Sequence, residues 1–371
     1  MQDREIVFEL LRSSVLGITP KIPTDAAIDW GKIISHSSEQ GILSWVWDGI
    51  MKLPQEIQPS RFQKIGTELS VQKMLQRYDM QAAVLRKMID VCEQHDVKLL
   101  LLKGIGLSKL YPNPRLRPSG DIDVYFGSDY KKGNELFCQE DYKFGGKHAE
   151  FTYEGVHIEN HLTIINTITK KQRAIEHFIE SDIDKAQKSA DGYYVLEPMR
   201  NMVYLLVHTL GHMKSAFVVP YRNIVDFAMF LNENKSDLPP KECHDVLVTL
   251  GLQKSFELLL HLSEWILGIN MAEYHQESIP LKDIDKAKKL LGDKLAKPEI
   301  PQSMPYLKQF VIRRRYENET HWMDKYLLKS GMDRFRSAFH IECAIIYRKL
   351  FHIPEDMLVA DFFEKEKSAK K

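Results

Sequence analysis

The sequence predicts an α+β fold in which strands are confined to about residues 90–195, between a helical N-terminal region and a helical C-terminal one. Apolar residues recur at helical spacing up to about residue 90 and again from about residue 196. Short apolar or alternating runs of strand length cluster between those stretches. At 371 residues the chain is long enough for two or three packed units. The expected division is 1–90, 91–195 and 196–371.

Taken in order, Ile6, Phe8, Leu10 and Leu11, then Ile42, Leu43, Val46 and Trp47, mark helices, with Pro20, Pro23, Pro54 and Pro59 as punctuation. A long helix is expected over about Ser70 to His95. VKLLLL, Val97 to Leu102, has the length of a buried strand. Ile105 to Leu110 can form one or two helical turns, YPNP is a turn cluster, and Asp121 to Phe126 alternates with a period of two. A polar helix from about Asp129 to Glu140, a turn at Gly145-Gly146, and strands near Ala149 to Tyr153 and Val156 to Ile164 follow. Beyond Glu197-Pro198, Met199, Met202, Val203, Leu206, Val207 and Leu210 form an apolar stripe, and similar stripes recur to about Ala360. The closing EKEKSAKK reads as a solvated tail.

Composition narrows the function. With 44% apolar and 27% charged residues the chain has the makeup of an ordinary globular protein. Lys+Arg and Asp+Glu both number 51, so no overall positive field draws a long polyanion, and nucleic acid is not the default partner. MQDREIVFELLRSS lacks the basic segment and apolar run of a secretory signal. The most apolar later segment, Phe256 to Ile269, is interrupted by His261, Ser263 and Glu264, whereas a spanning helix needs ~18 or more apolar residues. Cys92, Cys138, Cys243 and Cys343 are far apart and form no C-x-x-C pair. A cytoplasmic protein with no membrane span is expected.

The stretch RLRPSGDIDVYF, Arg115 to Phe126, carries the chemistry. Side chains i and i+2 of a strand share a face, so Asp121 and Asp123 stand together while Ile122 and Val124 face the core. Adjacent carboxylates repel unless something positive is present, and Mg²⁺ relieves the repulsion while taking substrate phosphate oxygens as further ligands. The plain alternatives are a solvated turn and a helix or strand cap. In GVHIENHLTI, His157, Glu159 and His161 share one face and Val156, Ile158 and Leu162 the other, so a third carboxylate can emerge from a neighbouring strand and make a two-metal site possible. Lys103 and Gly104 follow the apolar run, where a glycine lets backbone N–H groups approach a phosphate and lysine adds charge. Arg115 and Arg117 can bind phosphate oxygens or pair with the two aspartates.

LLLKGIGLSKLYPNPRLRPSGDIDVYF resembles the signature of a bacterial nucleotidyltransferase family of the DNA polymerase beta-like superfamily. The pattern's K-G pair, Y-P turn, arginine and D-I-D match Lys103-Gly104, Tyr111-Pro112, Arg117 and Asp121-Ile122-Asp123. Its acidic residue two before a histidine matches Glu159 and His161, and its helical histidines, arginine and aspartate match His208, His212, Arg222 and Asp226. The likeness covers roughly residues 95–230. It implies a small mixed β-sheet nucleotidyltransferase core flanked by helices, Mg²⁺ held by Asp121, Asp123 and Glu159, and transfer of a nucleoside monophosphate from an NTP to an acceptor. Glu159 would also help activate the acceptor hydroxyl. Lys103, Gly104, Arg117 and Ser119 are the candidates for the triphosphate side. Glu159 stands where many members have aspartate, one methylene shorter.

Other motifs admit plainer readings. His208 and His212 are one helical turn apart, half of a zinc site, but no H-E-x-x-H accompanies them, and histidines hydrogen-bonded in a helical domain or lining the nucleotide cleft are favoured. Asp226 has the i,i+4 spacing for an ion pair with Arg222. Arg313 to Arg315, near Tyr316, Trp322 and Tyr326, is interleaved with Glu317, Glu319 and Asp324, which favours a solvated helix face with buried aromatics over a nucleic-acid surface. The rival to an enzyme is a non-catalytic nucleotide-binding or regulatory protein on the same fold. The acceptor can be a small molecule, a protein side chain or RNA, and neither oligomeric state nor pathway is encoded visibly.

Overall fold

A computed structural model describes residues 2–25, 27–138, 143–144, 148–165, 170–181, 183–215, 220–292 and 321–327. Four helices lead the chain: α1 (Asp3–Val15), α2 (Trp30–Glu39), α3 (Leu43–Met51) and the 34-residue α4 (Arg61–Gln94). The last starts nine residues before the expected Ser70. Ser60 accepts a hydrogen bond from the Gln63 backbone N–H, and the Gln63 side chain reciprocates, so a capping box fixes the start just after Pro59.

The sheet comprises β1 (Leu100–Leu101), β2 (Ile122–Tyr125), β3 (Lys143–Phe144), β4 (His148–Tyr153), β5 (Val156–His161), β6 (Gln187–Lys188) and β7 (Tyr194–Val195). Their order is β3-β4-β5-β2-β1-β7-β6. β2 runs parallel to β5 and antiparallel to β1, so the sheet is mixed. The strands at Ala149 to Tyr153, Val156 to Ile164 and Asp121 to Phe126 all form. β5 stops at His161, which leaves Leu162 at 44% exposure rather than on the apolar face expected of it. VKLLLL contributes only two paired residues, and the short β6 and β7 carry no sequence signal of their own. Two helices lie within this region, α5 (Tyr130–Phe137) and α6 (Lys170–Glu180). The expected turn at Gly145-Gly146 lies outside the described residues.

The C-terminal region contributes α7 (Pro198–Ser215), α8 (Tyr221–Glu233), α9 (Pro240–Leu250), α10 (Gln253–Leu267) and α11 (Leu281–Gly292), then a 3-10 helix over His321–Leu327. In that last turn Tyr326 is buried as expected, but Asp324 is buried too, against the expected solvated face. The arginine cluster at 313–315, Cys343 and the charged tail lie outside the described residues. No described helix is long and apolar enough to cross a membrane. The apolar Phe256–Leu267 stretch is instead the core-facing part of α10.

The two faces of the sheet have different neighbours. Leu99, Leu101, Ile122, Val124, Phe151 and Ile158 form one core with Val84, Leu85, Met88 and Ile89 of α4 and Phe137 of α5. Leu100 and Leu102 point the other way, into a larger core built by the N- and C-terminal helices together. There Phe8 of α1 packs edge-on against Tyr221 and Trp265, and Arg12 donates to the Trp265 and Ile266 carbonyls at 3.0 and 2.9 Å. Period-two alternation therefore decides which side chains of β2 meet this helical layer. Asp123 is one of them.

Candidate active site

The parallel register pairs Asp123 with Glu159, so both carboxylates leave the sheet on one face. Asp121 precedes β2 on that same face, and the three carboxylates offer oxygens within 4.8 Å of one another. The sequence spacing and the fold thus agree on this convergence. Asp123 is 0% exposed.

Such a charge needs compensation, and part of it is supplied by the chain. Nζ of Lys103 lies 2.7 Å from Oδ1 of Asp123, and Nε2 of His161 lies 3.0 Å from the same oxygen. Burial alone would push the Asp123 carboxyl up. The Lys103 charge and the His161 contact overcome burial and hold it well below the usual carboxylate range. Oδ2 of Asp123 is buried and has no hydrogen-bond partner among the described residues. Glu159 behaves oppositely: burial, then repulsion from Asp123 and Asp121, raises its carboxyl. Its nearest partners are imidazoles at 3.8 to 3.9 Å, from His148, His157 and His161. His148 is not among the residues the sequence points to. Its alternation with the buried Ala149 and Phe151 is the signal that places it on the face of Glu159.

Gly104 opens the 3-10 helix Gly104–Leu110 with φ +62°. A Cβ there would stand 3.3 Å from both the Asp121 carbonyl and Ser119 Oγ, and 3.9 Å from Oδ2 of Asp123. Glycine is what lets this turn close against the acidic strand. Ser119 donates to the Asp121 carbonyl at 3.1 Å and shapes the loop from the other side.

Between this turn and helices α7 and α8 lies a cleft of about 180 Å³, lined by Lys103, Gly104, Arg117, Ser119, Asp121 and Asp123 from the core region and by His208, His212, Arg222 and Asp226 from the helices. The sequence-predicted triphosphate residues are therefore together. Arg117, however, is buried and grips Asp226 with two hydrogen bonds, Nε to Oδ1 at 2.8 Å and Nη2 to Oδ2 at 2.7 Å. Tyr111 also donates to Oδ1, at 2.6 Å. This corrects the helical ion pair expected between Arg222 and Asp226. A buried carboxylate takes the partner that completes a bidentate pair, and the turn before β2 delivers Arg117 to it. Arg115 leaves the site altogether and pairs with Asp79 at the surface.

His208 and His212 line the cleft, with ring centroids 4.5 Å apart. Among the described residues no third ligand completes a metal set with them. Burial, then the charges of Lys103 and His212, drives His208 well below the ordinary histidine range, so it stands neutral.

The donor set suits a hard divalent cation. It consists of clustered carboxylate oxygens, one of them buried and without a partner among the described residues, beside a cleft that Lys103, Arg117 and Arg222 also line. Neither a search of curated proteins nor a search of solved structures returns a match. A protein-family model does match, over residues 26–268, which include every residue named at this cleft. On that match the chain belongs to the family described as uncharacterised nucleotidyltransferase.

Proposed function

We propose that this nucleotidyltransferase moves a nucleoside monophosphate from an NTP to an acceptor hydroxyl in a Mg²⁺-dependent reaction that releases pyrophosphate. The new bond joins the acceptor oxygen to the α-phosphorus, the α–β bridge breaks, and its electrons leave with pyrophosphate. The observation that carries this reading is the convergence of Asp121, Asp123 and Glu159 beside a cleft that Lys103 and Arg222 also line.

Asp121, Asp123 and Glu159 are the side chains to hold the metal. When bound, Mg²⁺ would supply charge neutralisation at the phosphates and polarise the reacting oxygens. Lys103 keeps Asp123 ionised, and so keeps a ligand oxygen ready at neutral pH. Glu159 is a stronger proton acceptor than an ordinary carboxylate because of burial and its acidic neighbours, which suits it to take the proton of the acceptor hydroxyl. Gly104 and Ser119 shape the turn that lets phosphates approach the backbone. Lys103 contributes charge to the same wall while Arg117, held by Asp226, fixes its shape, and most of the catalysis would come from positioning and electrostatics. The basic turn before D-x-D and the third carboxylate on a neighbouring strand support a polymerase beta-like arrangement.

Incubation with each labelled NTP and Mg²⁺ beside a cell extract tests the proposal. Label is expected in one fraction, whether protein, RNA or small molecule, and is expected to vanish with Asp121→Asn/Asp123→Asn. A rise in melting temperature with NTP and Mg²⁺, but no pyrophosphate with any nucleotide or extract, would instead establish a binding protein.

A further inference from the structure

The charged side chains lining the cleft are not equally free. Lys103 is matched with Asp123 at 2.7 Å, and Arg117 with Asp226 at 2.7 Å. That leaves Asp121 and Arg222. Among the described residues Arg222 makes one hydrogen bond, from Nη1 to the Pro118 carbonyl at 3.3 Å, and no carboxylate lies within ion-pair reach of it. Most of its five N–H donors are therefore unspent in a half-buried setting. Burial and the adjacent Arg117 disfavour its charge and outweigh the attraction of Asp226 and Asp121, neither of which is in ion-pair contact with it.

The surroundings favour an anion. Arg222 is the second residue of α8, whose N-terminus opens onto the cleft at Pro220 and presents the positive end of a 13-residue helix. The Pro118 carbonyl that Arg222 touches begins the loop leading through Ser119 and Gly120 to Asp121, so the guanidinium borders the carboxylate cluster. A polyphosphate chelating a metal at Asp121 and Asp123 would extend into this space.

We infer that Arg222 is the phosphate-gripping side chain of the cleft and binds the β,γ end of the nucleotide triphosphate, while Arg117 is a positioning residue that anchors α8 through Asp226. This rests on the nucleotidyl-transfer reading and deepens it. A guanidinium matches phosphate oxygens bidentately, which an ammonium cannot do, so lysine is a partial substitute at this position.

Inorganic tripolyphosphate with Mg²⁺, titrated calorimetrically into the full chain, is the direct probe. Arg222→Gln is expected to weaken binding about 10- to 100-fold, the loss typical of removing charged hydrogen-bond donors. Arg222→Lys should fall between, and Arg115→Gln, at the surface, should match the wild type. Mn²⁺ binding at the carboxylates should persist in Arg222→Gln, which also shows that this variant is folded. In transfer assays Arg222→Gln should raise KM for the NTP more than it lowers kcat. Tripolyphosphate binding equal to wild type in a folded Arg222→Gln, with transfer intact, would overturn the assignment and leave nucleotidyl transfer standing. A wild type that neither binds tripolyphosphate nor transfers label would overturn both.

Discussion

Asp123 of β2 and Glu159 of β5 are register partners across a parallel strand pair, and their surroundings shift their carboxyls in opposite directions, Asp123 down and Glu159 up. One is held ionised by Lys103 and His161, whereas the other is pushed towards protonation by burial and by its acidic neighbours. On the proposed function both carboxylates hold the metal, and the raised carboxyl of Glu159 also suits it to take the acceptor's proton.

Gly104 is the backbone condition for this arrangement. Gly104→Ala places a side chain at φ +62° and a Cβ 3.3 Å from the Asp121 carbonyl and Ser119 Oγ. The left-handed conformation alone costs about 1–2 kcal/mol. A lower melting temperature, together with weakened NTP binding, is expected by thermal denaturation with and without nucleotide.

The Arg117–Asp226 pair should dominate the stability of the cleft. Asp226→Asn leaves Arg117 buried without a counter-ion, a change of the kind that costs about 3–5 kcal/mol. Removing the exposed Arg115–Asp79 pair should cost about 0–1 kcal/mol. Urea denaturation of Asp226→Asn beside Arg115→Ala checks the contrast, and equal effects would refute it.

A second titratable cluster lies away from the cleft. His275 has one ring nitrogen 2.5 Å from Glu257 of α10 and the other 3.1 Å from Glu264, with the His261 ring 4.7 Å away. Burial lowers the pKa of His275, but the two carboxylates outweigh it and the net shift is upward. A raised folded value stabilises the fold fully below the unfolded pKa of about 6.5, and that contribution is lost as pH rises through the folded value. The stability gap between wild type and His275→Gln should therefore narrow from pH 6.5 upward. A gap independent of pH between 6 and 9 would argue against an ionic role.

Much of the site is legible in the sequence because it depends on local rules. Period-two alternation places Asp121 beside Asp123 and Glu159 opposite the apolar face of its own strand, and a glycine after an apolar run marks the turn at Gly104, whereas the pairing of Glu159 with Asp123 comes from the parallel register. The partner of Asp226 is not legible: Arg117 lies 109 residues away, and only the packing of α8 on the turn before β2 brings them together. For the same reason Arg222, which has the spacing for a helical ion pair, turns out to face the cleft. The two-residue strands β6 and β7 are too short to show a period. The start of α4, by contrast, was written in the Ser60 to Gln63 spacing, which matters more than the prolines before it.

The central claim is that Asp121, Asp123 and Glu159 share divalent ions. Titrating the protein into Mn²⁺ and following the free-ion signal by electron paramagnetic resonance, with Mg²⁺ as competitor, tests it most directly. Wild-type protein should deplete the signal, Mg²⁺ should restore it, and Asp121→Asn/Asp123→Asn should leave it undiminished. Depletion by the double variant equal to that by wild type, or none by wild type, would contradict the account.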